Sequence, residues 1–351
     1  MAGYDIYLVG SVPMASSEAV FSKTSAVLGR RLKRIPDGET GKRLDWITWL
    51  EPVFADNPAM ELSDEVFQLH PSAPPRNRYR LKPGKTIADF SIGNLFYADI
   101  ARESYAVFRR LRDEGKIAAG TRFQVDLVPA HSVIWLFVRN ELQAAIDPIY
   151  NQAVGREIAK IAAAIPHDDL AIQLDVASAV FARLERNETG VYGATKEEMQ
   201  AKFTAILVGL AEQVPADIDL LFHFCYGDSN HRHVVEPTDM GDMVDMAMRL
   251  DQAIKRPINL FHMPVPRNRS DDAYFAPLRR LTLRPGTELA LGLVHHTDGL
   301  EGTTRRMAAA NKVVHGYAIA TECGFGRRRP ETIPELLRIH AAAAELAWSR
   351  T

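Results

Sequence analysis

Short, nearly continuous apolar runs alternate along this chain with longer stretches whose apolar positions recur every three or four residues. The first kind reads as a strand buried on both faces, the second as an amphipathic helix. Residues 4–12 (YDIYLVGSV) open the series; helical spacing over 17–28 and a short second strand at 31–35 follow. Residues 43–50, with Trp46 and Trp49, read as a helix or a pocket wall, and 91–115 as a helix. From residue 121 the rhythm is regular, with strands predicted at 122–128, 170–176, 217–226, 257–263, 288–295 and 317–322. Between and after them lie helical patterns at 134–165, 196–213, 240–254, 302–314 and 334–347, and a short Pro-rich helix or loop near 274–281. Eight strands separated mostly by helices predict parallel β/α units closing into a (β/α)8 TIM barrel; a doubly wound open sheet reads similarly.

One segment breaks the pattern. Residues 51–90 include PSAPPRNRYRLKPG, whose prolines and basic residues exclude a long helix. They are expected to form an irregular insertion or lid on the barrel rim, after the second strand, within a single domain spanning 1–351. A lone α/β barrel often reaches this length.

Composition narrows the function classes. A hydrophobic fraction of 46% with 25% charged residues describes an ordinary water-soluble core and surface. A net charge of −2 removes the electrostatic case for nucleic acid or an anionic membrane. No stretch approaches the length of an apolar membrane span, and the first residues carry no cationic leader, so the expected compartment is the cytoplasm. The expected partners are small-molecule substrates, with a homo-oligomer compatible.

Candidate chemistry gathers at the strand ends. They read Gly10-Ser11, Asp37-Gly38-Glu39, Gln124-Val125-Asp126, Gln173-Leu174-Asp175, His223-Phe224-Cys225, Phe261-His262, His295-His296 and Glu322-Cys323. In a parallel barrel these ends share one face, so polar groups at nearly all of them point to a composed active site. His223 and Cys225 lie two apart on a strand and therefore face the same way. The chain has two cysteines, too few for a disulfide framework, and the second, Cys323, also closes an apolar run. One imidazole and two thiolates suit zinc, whose catalytic sites use three protein ligands and leave a fourth position open. His262, at the end of the next strand, is the first choice for a fourth ligand, with Glu236 and Asp239 as competitors. Glu322 would face away on an ideal strand. The alternative is two buried thiols and a satisfied core histidine.

Other residues carry weaker signals. Asp126 and Asp175 could orient a substrate amine or move a proton, or simply cap the loops that follow. Arg267 and Arg269 could clamp a carboxylate or pair with Asp271 or Asp272. His231 and His233 read as an outer loop, and His295 is better placed than His296. Asp37, Gln124 and Asp228 complete the candidate substrate contacts. The glycines of GFGRR form no phosphate loop.

These motifs, in order along most of the chain, resemble the catalytic barrel of cobalamin-independent methionine synthase, and more loosely the wider group holding uroporphyrinogen decarboxylase and zinc-dependent alkyl-thiol transferases. GSVP resembles that family's GSFP, DGE with Trp46 its HGE segment, and IQLDVASA its IDEPA strand. HFCYG resembles its HxCY strand, LGLVH its strand ending in His-Ser, and TECGFGRR its DCGLKTR. The resemblance implies zinc ligands His223, Cys225 and Cys323. It places Ser11 and Glu39 near a substrate amino-acid end, and Asp175 and His295 around the reacting groups. Three features depart from the family: Phe261-His262-Met263 replaces a ligand glutamate, Val176-Ala177 follows Asp175 in place of Glu-Pro, and one barrel stands where the family usually has two. The implied activity is zinc-dependent transfer of a methyl or other alkyl group to a small homocysteine-like thiol, with a folate-type methyl donor as co-substrate. A zinc lyase or hydrolase for a small carboxylated or aromatic substrate, and a non-catalytic zinc-stabilised protein, are the rival readings.

Overall fold

A computed structural model describes residues 3–228 and 232–346. Nine strands occur among them: β1 (Arg34–Pro36), β2 (Met60–Phe67), β3 (Arg76–Leu81), β4 (Arg122–Leu127), β5 (Leu170–Val176), β6 (Asp219–Phe224), β7 (Leu260–Pro264), β8 (Glu288–Val294) and β9 (Ala318–Thr321). Seven form one curled sheet in the order β1-β4-β5-β6-β7-β8-β9, every pair parallel. Helices connect them, as the alternating pattern predicts.

The eighth predicted strand is reduced to single bridges. Ile6 bridges in parallel to Leu32 on one side and to Ile319 on the other, so residues 4–9 touch both ends of the seven-stranded sheet. Tyr7 N–H donates to Ile319 O at 2.9 Å and Ile319 N–H to Asp5 O at 2.9 Å. Beyond Ile6 the carbonyls of Leu8 and Val9 accept from Gln124 and Gln173 side chains, which displaces a regular ladder there. The sheet is thus seven regular strands, where eight were expected.

Two apolar clusters follow from the period-2 alternation of side chains. The larger packs the helices onto the outer face of the sheet. The smaller, Tyr7, Val9, Ala171, Leu221, Leu260, Ala290, Ala318 and Ala320, fills the inner face. Above it on the same columns stand Gln173 and Asp175, His223 and Cys225, and His262. The inner face therefore passes from apolar to polar towards the strands' carboxyl ends.

Residues 51–90 are more regular than expected. β2 and β3 pair antiparallel as a hairpin, and Arg78, at 3% exposure, donates to Trp135 O, Glu65 and Asn140 while lying 3.6 Å over Phe67. β3 also splits the predicted 134–165 helix. Val138 is extended and bridges to Tyr79, leaving Ala130–Phe137 and Asn140–Ala164 as separate helices. A further helix, Ser178–Arg186, occupies a stretch that carried no helical expectation. No described helix is long and apolar enough to cross a membrane.

Candidate metal centre and its pocket

A cavity of about 190 Å³ opens at the carboxyl ends of the strands, with His223, Cys225 and Cys323 on its wall. One ligand atom from each lies within 4.8 Å of the other two. The two sulfurs stand 3.8 Å apart. Two zinc–sulfur bonds of about 2.3 Å at the tetrahedral angle place their sulfurs about 3.8 Å apart. The sulfur spacing therefore fits a shared metal ion, and two sulfurs with one nitrogen suit zinc.

The hydrogen bonds settle which nitrogen of His223 is offered. β6 and β7 pair in parallel with His223 beside His262, which sets the two imidazoles side by side on the inner face. His262 Nε2 lies 2.9 Å from Thr321 O, and a carbonyl only accepts, so Nε2 carries hydrogen. Burial pushes His262 down to about 3, so it is neutral and its Nδ1 is an acceptor. His223 Nδ1, 2.8 Å away, must then donate to it. Burial, followed by His262, holds His223 well below the usual histidine range, so it is neutral too. Its Nε2 is left as a lone pair. His262, expected as a fourth ligand, is instead placed behind His223, with both nitrogens engaged.

The sulfurs have donors of their own. Gly227 N–H points at Cys225 Sγ from 3.2 Å, and Arg327 Nη2 at Cys323 Sγ from 3.3 Å. Arg327 also pairs with Asp228 at 3.2 Å, which places Asp228 on the cavity wall behind the arginine. The neighbouring Cys323 sulfur, then burial, push the Cys225 thiol well above its usual value. A cation between the sulfurs would favour their ionised form.

Opposite the sulfurs the cavity is acidic. Gln173 Nε2 holds Asp175 Oδ1 at 2.7 Å and Gln124 Nε2 holds Asp126 Oδ1 at 2.9 Å, each pair being i, i+2 on one strand face. Burial pushes Asp175 up to about 7, against hydrogen bonds from Gln173 and Trp46. Burial and then the Asp175 charge push Glu39 up to about 8. Asp126 is raised well above the usual carboxylate range, by burial and then Glu39. Glu39 and Trp46 are non-glycine residues with φ of 46° and 52°, backbone strain that aims both side chains into this cavity. Asp37 and Asp126 stand apart from the main cavity. Asp37 accepts from Glu39 N–H, Arg43 and Ser104, and so braces the turn that presents Glu39. Gln124 is likewise a buried brace, bonded to the Leu8 and Val9 carbonyls. Ser11 lines the cavity and its Oγ accepts from Gly326 N–H at 3.2 Å. A Cβ on Gly324 or Gly326 would lie 2.4 or 2.7 Å from that oxygen, which explains the glycines of GFG.

The roof is apolar: Trp46, Ile47, Phe67, Leu69, Pro74 and Leu136 face the cavity. The hairpin residues among them were not foreseen, because the apolar spacing of 60–81 is irregular and only its docking turns Phe67 inward. Arg327 was also missed; its signal was its place four residues after Cys323.

Several candidates lie elsewhere. His295 donates from Nε2 to Val265 O at 2.8 Å and faces Glu322 at 3.4 Å, in a different cavity from the sulfurs. Glu322 points away from Cys323, as strand alternation predicts, and accepts from His233 at 3.0 Å. Glu236 is on the far side of His233, and Asp239 accepts from Gly241 N–H. Arg269 pairs with Asp271, whereas the Arg267 side chain bonds only Thr297 among the described residues. His231 lies outside the described residues.

No family model matches the chain, and no curated protein matches it in sequence. Solved structures do match. One, from Listeria monocytogenes and assigned as a vitamin-B12-independent methionine synthase, aligns at TM-score 0.58 with 17% identity over 98% of both chains. Another, a B12-independent methionine synthase from Shewanella sp. W3-18-1 in complex with selenomethionine, aligns at TM-score 0.58 with 13% identity, over 98% of this chain and 97% of that one. The chain shares their fold. The likeness runs nearly end to end along the chain.

Proposed function

We propose that the protein transfers a methyl or other alkyl group to a small thiol that also carries an amine. The observation that carries this reading is the joint presence, in one cavity, of two sulfurs 3.8 Å apart beside His223 and of the raised carboxylates Glu39 and Asp175 opposite them. The matching fold of the Listeria and Shewanella structures supports it. In this reading residues 4–12 close the sheet as the seam of a (β/α)8 barrel, and the 51–90 hairpin is the fixed roof of its mouth.

His223 Nε2, Cys225 and Cys323 would hold zinc, which when bound makes a coordinated thiol acidic enough to be a nucleophile at neutral pH. Arg327 and Gly227 N–H hold the two protein sulfurs in place and favour their ionised form. Glu39 and Asp175 keep protons while the cavity holds no cation; an ammonium group restores their charge and is fixed by it. Asp175, at about 7, can also exchange a proton with a leaving atom at neutral pH. A carbon–sulfur bond forms, and the donor's alkyl–heteroatom bond breaks with its electron pair on the leaving atom. The apolar roof excludes water and suits a flat aromatic donor such as a folate-type compound.

The test is incubation of metal-loaded protein with homocysteine and candidate methyl donors, with methionine followed by mass spectrometry. X-ray absorption at the zinc edge on adding the thiol reports a new sulfur neighbour. An unchanged sulfur count with every thiol offered overturns the reading.

A further inference from the structure

A second cavity, also about 190 Å³, lies on the other side of the Glu322–Cys323 strand end from the candidate metal centre. Loops following β6, β7, β8 and β9 build it, and nothing in the proposed transfer uses it. Its two carboxylates are already matched. Glu322 lies between His233 and His295 at 3.0 and 3.4 Å, and Glu236 takes the other nitrogen of His233 at 3.3 Å. Burial alone would lower His233, but Glu236 and Glu322 hold it at about 10, so it is a cation there.

Two guanidinium groups on the same wall lack so close a partner, Arg267 acting on Glu236 only at longer range. Neither Arg267 nor Arg328 forms an ion pair among the described residues, although Arg269, two positions from Arg267, pairs closely with Asp271. Among the described residues the Arg267 side chain donates only to the Thr297 hydroxyl, and the buried Nε of Arg328 has no hydrogen-bond partner. Arg267, Arg328 and His233 against Glu322 and Glu236 leave the cavity with an excess of positive charge. A buried donor without a partner, as at Arg328 Nε, is costly unless something fills the space, and the exposed Arg267 guanidinium beside it is free to turn to the same occupant. Guanidinium forks match the oxygen pairs of carboxylates and phosphates.

We propose that this second cavity binds a small oxyanion, a carboxylate or a phosphate group, between Arg267 and Arg328. The site is separate from the sulfurs, so the inference stands whether or not the chain transfers alkyl groups.

Isothermal titration calorimetry of the full chain with inorganic phosphate, and separately with succinate, at low and constant ionic strength tests it. One-to-one binding of at least one anion is expected, weakened roughly tenfold or more by each of Arg267→Gln and Arg328→Gln. Arg249→Gln, which removes a cation paired with Glu197 elsewhere, should leave the affinity unchanged. Tighter binding of phosphate marks a phosphate or phosphate ester as the occupant; tighter binding of succinate marks a carboxylate ligand. Arg267 is exposed and its replacement cannot plausibly unfold the chain, so it carries the test if Arg328→Gln misfolds. Absence of one-to-one binding for both anions, or equal affinity in wild type and Arg267→Gln, overturns the proposal.

Discussion

Replacing His262 tests the hydrogen-bond chain behind the metal centre. In the native protein Thr321 O accepts from His262, and His262 accepts from His223. Both histidines are almost wholly enclosed, at 0% and 3% exposure, so water cannot substitute. His262→Leu fills much of the same space but leaves His223 Nδ1–H and Thr321 O without partners. Each orphaned group costs about 1–3 kcal/mol. His223 can relieve part of that by moving its hydrogen to Nε2, which removes the lone pair offered to the ion. Loss of such an outer hydrogen bond typically costs about 10–100-fold in metal affinity, or about 1.4–2.8 kcal/mol. His262→Gln should recover most of it, because an amide oxygen can accept from His223 while its NH2 donates to Thr321 O. Zinc affinity measured by competition with a chromogenic chelator near neutral pH distinguishes the variants, with urea unfolding of the metal-free proteins giving the stability cost. The reasoning is wrong if His262→Leu holds zinc within about twofold of wild type. It is equally wrong if His262→Gln loses as much as leucine does.

Other outcomes follow from the same geometry. Cys225→Ser and Cys323→Ser should each abolish stoichiometric zinc retention after dialysis while leaving the circular dichroism spectrum intact; full metal content in either variant would remove the centre from consideration. Glu39 and Asp175 are raised in the folded chain, so it holds more protons than the unfolded chain between about pH 4 and pH 8. Their contribution to stability is therefore present at acid pH and falls as pH rises through that window. Urea midpoints of Glu39→Gln/Asp175→Asn should fall less steeply between pH 5 and pH 8 than those of wild type, and identical slopes would contradict the assignment. Arg78→Ala should cost about 2–3 kcal/mol by freeing the hairpin from Trp135 O, Glu65 and Asn140. It should weaken thiol binding without changing metal content; a loss of metal would show that the hairpin does more than roof the cavity.

The strands could be read before any coordinates because sheets buried on both faces leave continuous apolar runs, and β5 matches the predicted 170–176 in full. The same alternation that placed His223 and Cys225 on one face also turned Glu322 away from Cys323. Where the reading failed, a tertiary contact had overridden a local pattern. The 134–165 helix breaks where β3 docks on Val138, and residues 8–9 lose their ladder to two glutamine side chains. The hairpin at 60–81 is tied to a distant helix by Arg78, a contact no local spacing reveals.

Local order along the chain determined which groups share a strand face, since period-2 alternation is a property of the backbone alone. It could say that one imidazole and two thiols stand at strand ends, and that carboxylates stand at others. It could not say which strand ends meet, because that depends on sheet register and curvature. Register set His262 beside His223 and made it a hydrogen-bond acceptor, where spacing had suggested a ligand. Curvature brought Cys323 within 3.8 Å of Cys225 and sent His295 to a separate cavity, whose wall it shares with Arg267 and Arg328.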